Sequence, residues 1–332
     1  MKIVFFHLNQ IGDLVFSLPA LKCVRESFPD AHITSIIRPS SMEVLESTGL
    51  VDEVFAKPSG LLWNKMALAR RLRAQGFDLA VALSQSATSA ILGYLSGAPK
   101  RIGFINTSYG KLLTHCVAFN HPPSTENNLR LIEAVGARIT TTSYSGLLKP
   151  ASAQEERADR LLTQCGIAPD EPVAALSPGT SGRRSIKEWT DEGFAEVGEH
   201  LIEQGLKVVI LGTVPVDGIT ARCRQICDLS GKTDLGTLVA VLHRCRLLVS
   251  VDSGVLHLGA AAGTRVVGLY GPSDPRITGP QGDGHVVITS GAPCSPCIQV
   301  KCKYNRECMT NLSAGEVVGA VDTILAEGPG GN

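Results

Sequence analysis

Leu247-Leu248-Val249-Ser250-Val251, then Asp252-Ser253-Gly254, then Val255-Leu256-His257-Leu258-Gly259-Ala260-Ala261-Ala262, is the stretch whose reading decides the fold. Five mostly apolar residues suit a buried strand, three small or polar ones suit a turn, and the longer apolar run suits a helix. A second strand follows at residues 265–270 and ends in Gly271-Pro272-Ser273-Asp274-Pro275. Two strands joined through a helix form a βαβ unit, whose strands lie parallel. Outward from it the same alternation recurs, with strands at 172–177 and 207–212. In the first half, strands are predicted at 2–8, 32–37, 53–56 and 78–83, with helices at 13–27, 61–75 and 126–137. The fold class is therefore α/β.

The 332 residues exceed the ~250–300 over which one core usually extends, so two domains are expected. Lys149-Pro150-Ala151-Ser152 interrupts the pattern and divides the chain into an amino-terminal domain, 1–150, and a carboxyl-terminal domain, 151–332. With 31 basic and 31 acidic residues and 44% hydrophobic content, the chain has no basic excess to follow a nucleic-acid backbone, and no nucleic-acid partner is expected. The apolar run at the start is too short for a secretory signal, and no run reaches the ~18–20 residues of a membrane span. A cytoplasmic protein is expected.

Ligands of parallel α/β sheets bind at the carboxyl ends of the strands, and three such ends carry suitable chemistry. The first strand runs into Asn9-Gln10-Ile11-Gly12-Asp13. Asp13 is either a helix cap or a general base acting on an acceptor hydroxyl. Residues 172–177 lead into Ser177-Pro178-Gly179-Thr180-Ser181-Gly182-Arg183-Arg184, with Lys187-Glu188-Trp189 beyond. Hydroxyls, backbone N–H groups and cations there suit a diphosphate, although a solvated charged turn would look the same and the Walker spacing is missing. The third end is the opening stretch. The start of its helix offers unpaired N–H groups and partial positive charge to an anion, with Asp252, Ser253, Gly254 and His257 beside it. A G-x-G-x-x-G fingerprint is absent from the first strand-helix turn, which argues against a nicotinamide-dependent dehydrogenase.

Ile11-Gly12-Asp13, Leu18-Pro19-Ala20-Leu21, Lys187-Glu188-Trp189, Asp252 to Leu258 and Gly268 to Pro275 together resemble glycosyltransferase family 9, the heptosyltransferases of lipopolysaccharide assembly. The resemblance implies a GT-B architecture, two Rossmann-like doubly wound domains facing a central cleft. It implies an inverting transferase, with ADP-heptose as donor, lipopolysaccharide core or another glycan as acceptor, and work at the inner face of the inner membrane. Asp13 would be the base. Lys187 would contact donor phosphate, with Asp252, Ser253, Gly254 and His257 lining the donor site, Thr180 and Ser181 touching phosphate and Thr233 lying near the nucleobase. The chain departs from the family at His7, where relatives often carry Arg or Lys, and at Gly182-Arg183-Arg184. Other functions weighed are transfer from another sugar nucleotide in the same fold, and a sugar-nucleotide-binding protein without turnover.

No acidic metal motif is visible, so no cofactor is expected to be required, with Mg2+ an optional stimulant. Of ten cysteines, Cys23, Cys116, Cys165, Cys223, Cys227 and Cys245 are scattered and read as buried thiols. Cys294, Cys297, Cys302 and Cys308 instead cluster as C-x2-C-x4-C-x5-C. Four thiolates in that span could hold Zn2+ or an iron–sulfur cluster, with packed free thiols or disulfides as the other reading.

Overall fold

The computed structural model describes residues 1–7, 10–57, 62–105, 109–120, 123–180, 185–297, 299 and 301–328. Two compact units divide the chain, Met1–Tyr144 and Ser145–Asn332. The segment before Pro150 joins the second unit because the Gly146 and Leu148 N–H groups donate to the Ala260 and Ala261 carbonyls at 3.4 and 2.9 Å.

The first unit holds β1 (Lys2–His7), β2 (His32–Ile37), β3 (Glu53–Ala56), β4 (Leu79–Ala82), β5 (Lys100–Phe104) and β6 (His115–Val117), in the order β3-β2-β1-β4-β5-β6. All neighbours pair in parallel. Ile3, Val4, Phe5 and Phe6 are fully buried, as a central parallel strand covered on both faces requires. The predicted helix 13–27 is instead two, Ile11–Val15 and Leu18–Ser27. Pro19 lacks an N–H and tolerates only a first helical turn, so the second helix starts afresh after Ser17, whose hydroxyl donates to the Leu14 carbonyl at 2.6 Å.

The second unit repeats the plan with β7 (Val173–Ser177), β8 (Lys207–Ile210), β9 (Cys227–Asp228), β10 (Cys245–Val251), β11 (Arg265–Tyr270) and β12 (Val286–Thr289), ordered β12-β11-β10-β7-β8-β9. Both orders are 3-2-1-4-5-6 when counted within a unit, the doubly wound Rossmann arrangement. In it the crevice beside the first and fourth strands, where the winding reverses, is the ligand position. That position is β1 with β4 in the first unit and β7 with β10 in the second, where Ser250 stands opposite Ser177. Among the described residues no helix is long and apolar enough to cross a membrane.

One correction concerns the scattered cysteines. Cys165 and Cys227 form a disulfide with Cα atoms 5.9 Å apart, and Cys116 is exposed. Sequence separation of 62 hid the pairing, since only the folded sheet brings the end of helix Ser152–Gln164 beside β9.

Trp189 anchors the chain between β7 and helix Asp191–Glu203. Its ring meets Phe194 edge-on at 5.1 Å, and its Nε1–H donates to the Leu312 carbonyl at 3.1 Å. Gly193 lies under that ring, where a β-carbon would overlap it. Gly193→Ala is therefore expected to cost about 1–3 kcal/mol. Gly319, exposed in helix Ala314–Ala326 with nothing near its missing β-carbon, should behave oppositely, and Gly319→Ala should stabilise by up to about 1 kcal/mol. Urea unfolding of the two variants checks the pair; equal effects would contradict it.

Candidate functional site

At the crevice of the second unit, β10 delivers Asp252 to the start of helix Gly254–Ala261. Asp252 is 7% exposed, and its Oδ2 forms an ion pair with Lys187 Nζ. Its Oδ1 lies 3.7 Å from His257 Nε2, one turn into the helix, and His257 is itself buried. The Asp252 N–H donates to the Leu269 carbonyl at 3.2 Å, tying it to β11. Burial by itself would raise the Asp252 carboxyl. The nearby His257 imidazole and the charge of Lys187 outweigh that, and the net shift is downward. An anion is thus maintained in a nearly dry place because a cation and a donor flank it.

Lys187 is positioned by the short 3-10 turn Ser185–Lys187 and by Trp189, which is sunk in the core two residues later. Ser253 is the residue preceding the helix, with φ −143° and ψ 172°, and its side chain makes no capping hydrogen bond. Serine normally caps such a helix itself. Here the helix start keeps the donors that an anionic ligand uses.

The structure brings Lys187, Asp252, Ser253, Gly254 and His257 together. Thr180 follows β7, and its hydroxyl donates to Glu188 Oε1 at 3.2 Å, so it is tethered to the segment that carries Lys187. Thr233 is half-buried in the loop between β9 and helix Leu235–Arg244, two residues after Gly231, whose N–H donates to the Gly212 carbonyl at 2.9 Å. Ser181, with Gly182, Arg183 and Arg184, lies outside the described residues. Two serine hydroxyls stand out in the fold, one of them in the hydroxyl-rich strand end already singled out in the sequence. The hydroxyls of Ser177, at the end of β7, and Ser230, after β9, are buried and have no hydrogen-bond partner among the described residues. Buried polar atoms are nearly always partnered, so orphaned hydroxyls at strand ends are themselves a pointer to a ligand. A serine at a predicted strand's last position was the available signal.

In the first unit Asp13 is exposed on helix Ile11–Val15, and its Oδ2 accepts the Gln10 N–H at 3.1 Å. The cap is real. A carboxylate offers about four lone-pair sites, so capping and proton acceptance are compatible. His7, at the end of β1, is buried with Nδ1 3.0 Å from Ser17 Oγ and Nε2 3.3 Å from Ser35 Oγ. The Ser17 hydroxyl spends its proton on Leu14, so it accepts from Nδ1–H, and Nε2 accepts from Ser35. Both ring nitrogens are engaged within the fold.

Cys294, Cys297, Cys302 and Cys308 are free thiols lining one cavity of about 200 Å3, together with Ile186 and Pro272. The Cys308 thiol is pushed up, first by burial and then by the three neighbouring thiols. Among the described residues no group of three or more His, Cys, Asp or Glu side chains converges as a site for a single ion.

Residues 65–307 match the family described as glycosyltransferase family 9 (heptosyltransferase). Lipopolysaccharide heptosyltransferase 2 of Escherichia coli (strain K12) is 25% identical over 298 residues, covering 84% of this chain and 85% of the relative. A glycosyl transferase family 9 structure from Veillonella parvula DSM 2008 superposes with TM-score 0.85 at 25% identity, covering 98% of this chain and 97% of that one. E. coli ADP-heptose lipopolysaccharide heptosyltransferase II shares the fold, with TM-score 0.80 at 20% identity over 98% and 99% of the two chains. The likeness fits two Rossmann-like domains of the GT-B class.

Burial lowers the His7 pKa to about 3, against about 6.5 in an unfolded chain. Below pH 6.5 the unfolded chain takes up a proton that the folded one refuses. The associated stability is complete above pH 6.5 and is lost as pH falls, at up to about 1.4 kcal/mol per pH unit. In NMR spectra the His7 imidazole is expected to remain neutral at pH 5; a midpoint near 6.5 would contradict this environment.

Proposed function

The chain belongs to glycosyltransferase family 9, the heptosyltransferases, and from that premise we propose that it moves heptose from ADP-heptose onto a hydroxyl of the lipopolysaccharide core, inverting the anomeric carbon. The observation that carries this reading is the half-buried Lys187 paired with buried Asp252, with buried His257 alongside, beside an uncapped helix start, at the position where a doubly wound sheet takes its ligand. The donor's diphosphate sits against the N–H groups around Ser253 and Gly254. Lys187 adds a cation as the leaving diphosphate gains charge. Thr180 and Ser181 contact phosphate oxygens, and Thr233 stands near the adenine. The ADP-heptose in the name of the E. coli structural relative supports this donor.

Asp13 removes the proton from the acceptor hydroxyl as the oxygen attacks, so one carboxylate suffices. The transfer requires no cofactor, because Lys187 and the helix start meet the diphosphate charge; Mg2+ stimulates without being essential. The enzyme works in the cytoplasm, at the inner face of the inner membrane. A second reading, a sugar-nucleotide-binding protein without turnover, is favoured by one fact: the Asp13 carboxylate already serves its own helix as a cap.

Transfer from ADP-heptose to a heptose-deficient lipopolysaccharide acceptor, followed with Asp13→Asn, separates the two. Asparagine keeps an acceptor oxygen for the Gln10 N–H but cannot take a proton. Transfer is expected to fall by about 10²–10⁴-fold, with ADP affinity unchanged. An Asn variant as active as the parent would remove Asp13 as base, and no transfer by the parent protein would leave the binding-protein reading.

A further inference from the structure

We propose that Arg306 is a positioning residue of the donor site, gripping the turn that carries Lys187 and so fixing where the lysine ammonium stands, a role that rests on the reading of Lys187 as the cation that meets the donor's diphosphate. The backbone carbonyls of Ser185 and Glu188 bracket Lys187. Both accept from one nitrogen, Arg306 Nη1, each at 3.2 Å. A terminal guanidinium nitrogen carries two N–H groups, so it serves the two carbonyls with one proton each. Because the donor is charged, such bonds are about twice as strong as neutral ones. The Ser185 carbonyl also accepts the Glu188 N–H at 3.1 Å, the bond that closes the turn; the arginine locks a turn that is already folded.

A clamp positions nothing unless it is itself held. The Arg306 N–H donates to Cys302 Sγ at 3.2 Å, and its carbonyl accepts the N–H groups of Met309 and Thr310 at 2.7 and 2.9 Å. Its φ is 62°, in the left-handed region that disfavours a residue with a β-carbon and persists only where the surroundings over-determine it. Two and three residues later, Cys308 and Met309 are buried in the same core cluster as Trp189. Gly271 packs so closely against both that a β-carbon there would overlap them. The bond from Trp189 Nε1–H to the Leu312 carbonyl makes a second tie between the same two stretches of chain. Lys187 is thereby flanked by two ties, Arg306 on its own turn and Leu312 on Trp189, and both are anchored in one core.

The turn divides its side chains between two tasks. Ile186 is buried and lines the cavity beside Pro272 and the carboxyl-terminal loop, while Lys187 pairs with Asp252. Lysine is a point charge on a flexible stem, so the place of its ammonium depends on a fixed backbone as well as on the Asp252 carboxylate. A leaving diphosphate gains charge in the transition state, and a cation set in place beforehand acts most strongly there. Misplacing such a group by about 1 Å can cost about 10²-fold in rate. Loss of the clamp therefore falls on kcat more than on the KM for ADP-heptose.

The test is a cycle of Arg306→Ala, Lys187→Met and the two together in the full-length chain, with heptose transfer measured across ADP-heptose concentrations well below the unfolding temperature. Arg306→Ala is expected to lower kcat by about 10–100-fold while KM moves by less than about threefold. In the Lys187→Met background the same change should cost less than about twofold, because effects that pass through one group do not add. Arg306→Lys, which keeps the charge and N–H donors, should recover part of the rate. Arg244 is the control, since it also grips loop carbonyls, those of Ala168 and Glu171 at 3.4 and 2.9 Å, but ahead of β7, at the end of that strand away from Ser177. Arg244→Ala should leave kcat unchanged. An equal fall for Arg306→Ala in both backgrounds, or an equal fall for Arg244→Ala, would overturn the role. A crystal structure of Arg306→Ala is expected to show the turn displaced and Lys187 Nζ no longer held at one place beside Asp252; a turn and lysine that have not moved would overturn it as well. Absence of transfer by the parent chain would remove the proposed reaction, and the crystal structure would then decide the role of Arg306 alone.

Discussion

A carboxylate withdrawn from water stays ionised only if a cation and hydrogen-bond donors replace the water it gave up. Asp252 meets that demand with Lys187 on one oxygen and His257 near the other, and the surrounding structure follows from it. Two pieces of chain distant in sequence are fastened to one side chain: the turn Ser185–Lys187, and the junction where β10 passes into helix Gly254–Ala261. Breaking a buried pair by removing one partner commonly costs about 3–5 kcal/mol. The pair is neutral overall. Its attraction for an anion therefore comes from the helix start and from whatever share of Lys187 a ligand can draw toward itself.

The two units repeat one topology with different polar contents at the equivalent strand ends. In the first unit, β1 at the reversal point ends in His7, an imidazole kept neutral by burial and satisfied on both sides by serine hydroxyls. In the second unit the equivalent crevice has a fixed anion and cation, and the hydroxyl of Ser177 at the end of β7 has no partner among the described residues. A sealed strand end suits structural work, whereas orphaned hydroxyls beside charge suit a polar ligand. This difference distinguishes the units more sharply than their shared strand order.

Much of the fold was legible because buried parallel strands read as apolar runs. Eight strands were predicted, and they include β1, β4, β7 and β10, which flank the two crevices. β5, β6, β9 and β12 were not predicted; for two of them the reason is physical, since β6 is three residues with two exposed and β9 is two half-buried residues, so neither has the apolar run that makes a strand visible. The helix break at Ser17 was signalled by Pro19 but went unread. Asp252, Ser253, Gly254 and His257 were legible as a site because a strand-turn-helix pattern fixes what lies at the helix start. Their link to Lys187 was not, since it joins residues 65 apart. The Cys165–Cys227 bond was invisible for the same reason. Ser177 and Ser230 needed the structure, because lack of a partner is a property of surroundings and not of residue type.

The most direct test of the central claim is a crystal structure of the chain with ADP. The account predicts diphosphate oxygens within hydrogen-bond distance of the backbone N–H groups at the start of helix Gly254–Ala261 and of Lys187 Nζ, with Asp252 still alongside the lysine. A nucleotide bound elsewhere, with that helix start facing only protein or solvent, would contradict it.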